Sequence, residues 1–598
     1  MKWSSLTFFS KALITLLIAG GIGAGVYFLS PGLRTDESKK LEKIDVADKD
    51  INNISTSDEM PLPSAETSTD VSAKPLVRLA GYAWNAQSGI IVANGGPKTT
   101  KGSIMEKNGI NLEIIRQDWF NELRNLQLKF IEEFDRGTNN PKEGVAGIII
   151  MGDGVPFYVS SVQQALDDKY GAGKYQIQAI GSIGLSYGED KLIGPPSWKM
   201  NPQTMKGSLI SAVIGDGDWV TTVNYAFANG LKVNPDPSTY DPDAVNFIAS
   251  ANDDYIESAK ELIKSQKEGW TIPLREVKDG KLTGKSISKK VDGCATWTPG
   301  DKTVFDALTG FTDVVSTKEF NNQMAATIVV LKQWANRNKE TVTGILKSSY
   351  TASNQMKQFE SWKKRAAESV AKTFNMESAD YWYNMFKGQK GEKNGVSYNM
   401  GGSRVFNQSD ANQYYGITDG TNRYKAVYDQ VSRYLKELNP AGFNQNVKRV
   451  VPYEEGVNLS FLQQVQNIDA GKADVADYSK KATKVVASGE WRINFDVGRA
   501  SVRPEAKDVL EQIYNLLIQA EDSKLELVGH TDNTGQAESN YSLSHARAEA
   551  IKNYLIQKGI PANRFQKLEG KGQDEPVSDN STPAGKAQNR RVVITILK

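Results

Sequence analysis

From about Pro75 onward the chain alternates short apolar runs with longer amphipathic ones. Leu76 to Ala80, Leu112 to Ile115, Val145 to Met151, Gln176 to Ile180, Leu209 to Ile214 and Cys294 to Trp297 predict strands. Trp119 to Phe134, Ile256 to Gln266 and Phe320 to Ala335 repeat apolar positions every three to four residues and predict helices. Strands separated by helical crossovers predict parallel α/β sheets, whose ligands bind at the carboxyl ends of the strands. Those ends are Tyr82 to Asn85, Gly152 to Gly154, Ser182 to Ser186, Gly215 to Asp218 and Trp297 to Pro299. Trp84, Asp153, Ser182, Asp216 and Trp297 are therefore candidate ligand-binding residues, although turn chemistry explains any single Gly-Asp-Gly as well.

Near the C-terminus a strand pattern, Lys524 to Val528, runs into a helical one in which Leu543, Ala546, Ala550, Tyr554 and Leu555 recur until Gly559. Asp532 falls just past the strand, and Arg547 falls two turns into the helix beside its apolar stripe. A desolvated guanidinium needs an acceptor. Two readings follow: an internal Asp532–Arg547 salt bridge, or a receptor for a zwitterion in which Asp532 takes an ammonium and Arg547 a carboxylate.

The N-terminal pattern is of another kind. Ala12 to Leu33 carries no charge, and its 22 residues would make a helix of about 33 Å, against a hydrocarbon core of ~30 Å. A signal peptide is the rival reading. Because Val26-Tyr27-Phe28-Leu29 stands where small residues would precede cleavage, an uncleaved transmembrane helix is expected, with residues 1–11 in the cytoplasm. Gly21 and Gly25 form a GxxxG pair, which a glycine-rich segment produces easily without any dimer. Residues 34–74 are polar and almost free of aromatics, which predicts a disordered tether. A second connector, 441–489, separates the central domain (75–440) from the C-terminal domain (490–598) and is expected to leave the latter free to move.

Composition narrows the chemistry. The 598 residues carry a formal net charge of +2, so no nucleic-acid footprint shows. Cys294 is the only cysteine, which rules out an intrachain disulfide and a cysteine metal cluster, and no cofactor or metal is expected. Gly184-Leu185-Ser186-Tyr187-Gly188 fits the nucleophile-elbow pattern. The only histidines, His530 and His545, lie in the other domain, so that elbow lacks its base; paired carboxylates for glycan cleavage stay open to the sequence, and the chain is read as a non-enzyme.

Phe495-Asp496, His530-Thr531-Asp532, Gly535, Asn540, Leu543-Ser544, Arg547-Ala548, Gly559-Ile560, Gly570, Gly572 and Asn589-Arg590-Arg591 resemble the motifs of the OmpA C-terminal family. The resemblance implies an α/β sandwich that binds peptidoglycan, with Asp532, Arg547 and Asn540 gripping the diaminopimelate of its stem peptide. Val77 to Tyr82 with Trp84, Val291 to Pro299, and the segment Lys318 to Leu346 with its Asn-Lys-Glu-Thr-Val resemble periplasmic solute-binding proteins of the nitrate, sulfonate and taurine type. That resemblance implies two α/β lobes joined by a hinge, a small-molecule ligand between them, and an ABC transporter permease as partner. Pro235 to Asp243, with its three prolines, departs from that pattern. The expected protein is a single-pass inner-membrane protein with its domains in the periplasm. Its function is then either that of a wall-bound solute receptor or that of a structural or signalling tether. An ion-driven stator would need an ionisable residue within Ala12 to Leu33, and there is none.

Overall fold

The computed structural model describes residues 58–598 apart from 389, 394, 395, 400, 492, 494, 496, 497 and 503. The expected membrane helix at 12–33 and most of the tether lie outside these residues. Among the described residues no helix is long and apolar enough to cross a membrane.

The first lobe opens with strands β1 (Leu76–Gly81), β2 (Asn111–Arg116), β3 (Gly147–Met151) and β4 (Ile177–Ser186), with helices α1 (Phe120–Asp135) and α2 (Val155–Tyr170) between them. The chain then crosses into a second lobe. That lobe contains β5 (Lys191–Gly194), β6 (Leu209–Ala212), helix α3 (Gly217–Ala228), β7 (Lys232–Asn234), β8 (Ala244–Ala249), helix α4 (Tyr255–Glu268), β9 (Gly293–Thr296) and β10 (Thr312–Ser316). An antiparallel ribbon, Thr271–Lys278 and Lys281–Lys290, projects from it. The return crossing leads to β11 (Ala325–Leu331), helices α5 (Lys339–Gln358) and α6 (Glu360–Phe374), strand β12 (Ser403–Val405) and helix α7 (Arg423–Leu438). The sheet orders are β12-β4-β11-β3-β1-β2 and β10-β5-β9-β6-β8-β7.

Within the helix expected over Phe320 to Ala335 only the end, from Lys332, is helical; its middle is β11, antiparallel to both β3 and β4 and buried along its whole length. A strand buried on both faces reads as a continuous β-branched run, and such a run also satisfies a helical spacing by default. Residues 58–74 differ from a disordered tether as well. Their backbone pairs with Thr99 and Lys101 (Ser68 N–H to Thr99 O and Lys101 N–H to Glu66 O, 2.9 Å each), and Trp362 donates to the Met60 carbonyl at 3.0 Å. Backbone pairing and capping supply what the polar side chains cannot.

The C-terminal domain has strands β13 (Val485–Trp491), β14 (Lys524–Gly529), β15 (Phe565–Gly570) and β16 (Val592–Leu597) in the order β13-β16-β14-β15, with helices α8 (Lys507–Gln519) and α9 (Ala537–Gln557). This domain is docked, not free. Leu510, Ile513 and Leu517 join Val431, Tyr434, Leu435 and Trp219 in one continuous apolar core shared with α7 and the second lobe. Arg423 of α7 grips Glu521 with two nitrogens, each at 2.7 Å. Asp522 takes Lys598 at 2.6 Å and the Tyr187 hydroxyl at 3.1 Å, beside the first crossing between the lobes. On the second crossing, Asn322 donates its backbone N–H to Gln519 O at 2.9 Å and its amide to Ile518 O at 3.1 Å. The 441–489 connector is laid along the first lobe. Asn458 N–H reaches Ala179 O at 2.8 Å, Phe461 and Leu462 are buried, and Tyr478 donates to Glu521 O at 2.7 Å.

Two predictions follow from the docking. Removing one partner of the Arg423–Glu521 pair leaves a mostly buried charge behind, so Arg423→Ala and Glu521→Ala should each destabilise strongly. A denaturant double-mutant cycle should return a coupling of at least ~1.5 kcal/mol, and a coupling near zero would mean that the pair does not hold the domains together. Glu319 supplies the second. Burial alone would raise its carboxyl, but Lys484, Lys598 and Lys199 outweigh burial and push it down to about 2. Its stabilisation, roughly 3 kcal/mol from a shift of two units or so, is present in full above the ordinary carboxylate range and is lost as pH falls through about 2. Glu319→Gln should remove that part of the acid loss in unfolding curves measured between pH 5 and 2.

Candidate functional site

Helix α9 lies so close to its sheet that only glycine fits beneath it. A Cβ at Gly529 would strike the Ser544 carbonyl, and one at Gly570 would stand 2.5 Å from the His545 nitrogen. This contact selects the buried face of the helix: Asn540, Ser544, Arg547, Ala548, Ile551 and Leu555. Arg547 is thus inside that face, 3% exposed, rather than at its edge. Its Nε donates to Arg499 O at 3.2 Å, and its guanidinium stands 5.1 Å from the Phe495 ring centre.

Asp532 follows β14 at the head of the same helix. One carboxylate oxygen accepts the Thr534 N–H at 2.8 Å, and the other takes Arg590 at 2.5 Å. Arg590, not Arg547, is the cation paired with Asp532. Asn540 donates to the Asp532 carbonyl at 3.3 Å and to Gln573 at 2.8 Å. These groups, with Lys586, line a cavity of about 690 Å³. Burial pulls the Asp532 carboxyl up, but the hydrogen bonds from Arg590 and Thr534 outweigh it, and the net direction is down. Among its described lining residues the cavity therefore offers one carboxylate, Asp532, beside Arg547, Arg590 and Lys586. That suits a ligand with a carboxylate and an ammonium a few bonds apart. Sequence reasoning quoted Arg590 but gave it no part in the site, because it reaches Asp532 from a loop 58 residues away.

Between the lobes a second constellation forms. Tyr82 donates to Asp216 at 3.1 Å, Trp84 to Asp190 at 3.2 Å, and Gln323 to Asp153 at 2.7 Å. Trp297 packs on Tyr255 with ring centres 4.2 Å apart and on Tyr82 at 5.6 Å. Four of the five expected residues, Trp84, Asp153, Asp216 and Trp297, thus converge on the groups between the lobes, and all are buried. Ser182 does not join them. Strand β4 runs on to Ser186, so Ser182 lies inside the sheet, where its hydroxyl pairs with Thr327 at 2.9 Å and Tyr415 at 2.8 Å. Ser186 itself bonds Asp190 and Thr317 and is followed by a turn into β5, not by the helix that a nucleophile elbow requires.

Glu189, Asp190, Asp218 and Tyr255 also belong to this constellation, and pattern reasoning passed over them. Glu189 and Asp190 sit in the first crossing, which no periodicity marks. Burial pushes the Asp190 carboxyl up to about 7 against the hydrogen bonds of Ser186 and Trp84. It raises Asp153, Asp216 and Asp218 too, with neighbouring carboxylates adding to the effect at Asp153 and Asp218.

Residues 494–590 match the family model described as the OmpA family. Outer membrane protein A of Bordetella avium is 37% identical over 116 residues, 19% of this chain and 58% of that protein. The peptidoglycan-binding protein ArfA of Mycobacterium bovis is 34% identical over 104 residues, 17% of this chain and 32% of that one. The chain thus spans less than two thirds of either relative. Over 65% of its length it is similar to the periplasmic nitrate-binding protein NrtA from Synechocystis PCC 6803, at 9% identity and a TM-score of 0.42, covering 88% of that chain. What the chain carries at its C-terminus, over residues 494–590, is an OmpA-family domain.

Proposed function

We propose that this protein is an envelope component that grips diaminopimelate-type peptidoglycan in the Asp532–Arg547 cavity and binds a small solute between its two lobes. The observation that carries the first half is the cavity itself, where Asp532 stays ionised beside three cations. A diaminopimelate side chain presents an ammonium for the carboxylate and a carboxylate for a guanidinium fork. The Mycobacterium bovis relative, described as a peptidoglycan-binding protein, supports a wall ligand. In this reading Ala12 to Leu33 anchors the chain in the inner membrane, both domains stand in the periplasm, and an ABC transporter permease receives the solute.

Co-sedimentation of the full chain with purified sacculi tests the clamp. Asp532→Ala and Arg547→Ala should each lower binding at least tenfold, because the remaining group faces an unmatched charge. Arg547→Lys should bind poorly as well, since an ammonium cannot make the bidentate pair. Folded variants that sediment as fully as the parent would move the wall contact elsewhere.

The solute half has its own test. The Trp84 indole is bonded to Asp190 of the crossing, and Trp297 stacks on Tyr255. A bound solute should therefore shift tryptophan emission, and small-angle scattering should show compaction from an open form. A stabilising solute that changes neither emission nor radius would remove the hinged cleft.

A further inference from the structure

The polar groups enclosed between the lobes have one sign. Asp153, Asp216, Asp218, Glu189, Asp190 and Asp301 are each less than 2% exposed. Among the described residues the cation facing them is Lys191, itself fully buried and paired with Asp301. Hydrogen bonds within the protein satisfy part of this set: Tyr82 on Asp216, Gln323 on Asp153, Trp84 and Ser186 on Asp190, Ser403 on Glu189. The remainder is left over. Among the described residues neither oxygen of Asp218 has a hydrogen-bond partner, and the same holds for Oδ1 of Asp153 and Oδ1 of Asp190. Asp218 lies in the first turn of α3, where the helix dipole favours negative charge, but no N–H donates to it.

A second, independent feature is Asn85. It is 0% exposed, its backbone N–H is on Glu189, and neither end of its side-chain amide has a partner. Its neighbour Trp84 is bonded to Asp190. Buried amides and carboxylates in native proteins are almost always satisfied, so a set of orphan acceptors at one place points to a donor from outside the chain. Aromatic walls complete the picture, since Tyr82 and Tyr255 pack edge to face beside Asp216 and Trp297 lies tilted against both. Ring faces attract cations. A bare metal ion fits poorly, because among the described residues no three His, Cys, Asp or Glu side chains are grouped closely enough to hold one. The orphan oxygens are spread over both lobes and the crossing, and only a ligand with several N–H donors reaches them.

We propose that the interlobe site takes an organic cation with more than one protonated nitrogen, a diamine or a guanidinylated amine, and not an oxyanion. This rests on the solute-binding reading above and names the ligand class that the reading leaves open. Nitrate or a sulfonate would meet carboxyl oxygens on every side with Lys191 already engaged, and a neutral sugar brings no cation to set against them.

The experiment is thermal unfolding and calorimetric titration of the full chain with putrescine, agmatine and spermidine, against nitrate, taurine and ribose at matched ionic strength. At least one amine should raise Tm and bind, and Asp218→Asn and Asp153→Asn should each weaken that binding tenfold or more. In amine-free buffer Asp218→Asn should leave Tm unchanged or raise it, because no described group of the chain holds that carboxyl. If nitrate, taurine or ribose binds and the amines do not, the cation inference falls while the solute reading stands. If no compound of any sign binds, both fall. An Asp218→Asn protein less stable than the parent in amine-free buffer would mean that the chain itself holds that carboxylate, and would overturn the inference without touching the solute reading.

Discussion

The structure depends on the contact between the Gln519–Asp522 corner of the C-terminal domain and the two crossings that join the lobes. Those crossings, 186–191 and 316–325, are the segments that would have to bend for the lobes to part. The C-terminal domain touches both, through Asp522 and Tyr187 on one and through Asn322 and Gln519 on the other. Asn224 of the second lobe completes the join. It donates to Gln323 at 3.0 Å and to Gln519 at 2.7 Å while accepting from Tyr434 at 2.7 Å, so its amide is fully used. Gln323 in turn holds Asp153. An unbroken line of hydrogen bonds therefore runs from a carboxylate between the lobes to the end of α8, and a buried amide line of this kind tolerates no member without a partner.

The two sites are electrostatic opposites, which the net charge of +2 conceals. In the C-terminal cavity Asp532 is, among the described lining residues, the one carboxylate beside Arg547, Arg590 and Lys586, and the hydrogen bonds of Arg590 and Thr534 hold its carboxyl down despite its burial. Between the lobes, among the described residues, six carboxyl groups stand around Lys191, and desolvation raises five of them, Asp153, Glu189, Asp190, Asp216 and Asp218. Partial burial with paired charge gives a site whose state is constant across ordinary pH. Full burial with unpaired charge gives a site whose state depends on what enters it.

Much of this was legible in the sequence, for reasons that differ by element. The strands at Leu76, Leu112, Val145 and Leu209 and the join from β14 to α9 are local, and a period of 2 or 3.6 reports them directly. The positions of Asp532 and Arg547 at one end of the C-terminal domain are legible because each lies at a countable distance from such an element. Strand β11 was misread because a strand buried on both faces has no period. Ser182 was placed at a strand end because β4 continues through Gly181 and Gly184, residues that look like a stop. Arg590, Glu189 and Asp218 act through partners tens to hundreds of residues away or through none at all, and residue spacing carries no record of that. The docking of the C-terminal domain is of the same kind, since Arg423 and Glu521 meet across 98 residues.

The glycine-aspartate turns show how a local signal can have a distant cause. Gly152-Asp153-Gly154 and Gly215-Asp216-Gly217 read as turn chemistry, and Gly215, at φ +89, does need the left-handed conformation. Gly154 and Gly217 do not, for neither lies in that region. What constrains them is the opposite lobe. A Cβ at Gly154 would overlap the Asp216 carboxylate, and one at Gly217 would stand 2.5 Å from the Met151 sulfur and 3.1 Å from Asp153 Oδ1. Each lobe thus lacks a side chain where the other presents its aspartate. The missing Cβ atoms let the two carboxylate-bearing turns close to van der Waals contact, which excludes water and makes every unpaired charge between them costly. Turn formation alone would be served by glycine at one position of each motif, and the second glycine in each is explained by the closed approach of the lobes.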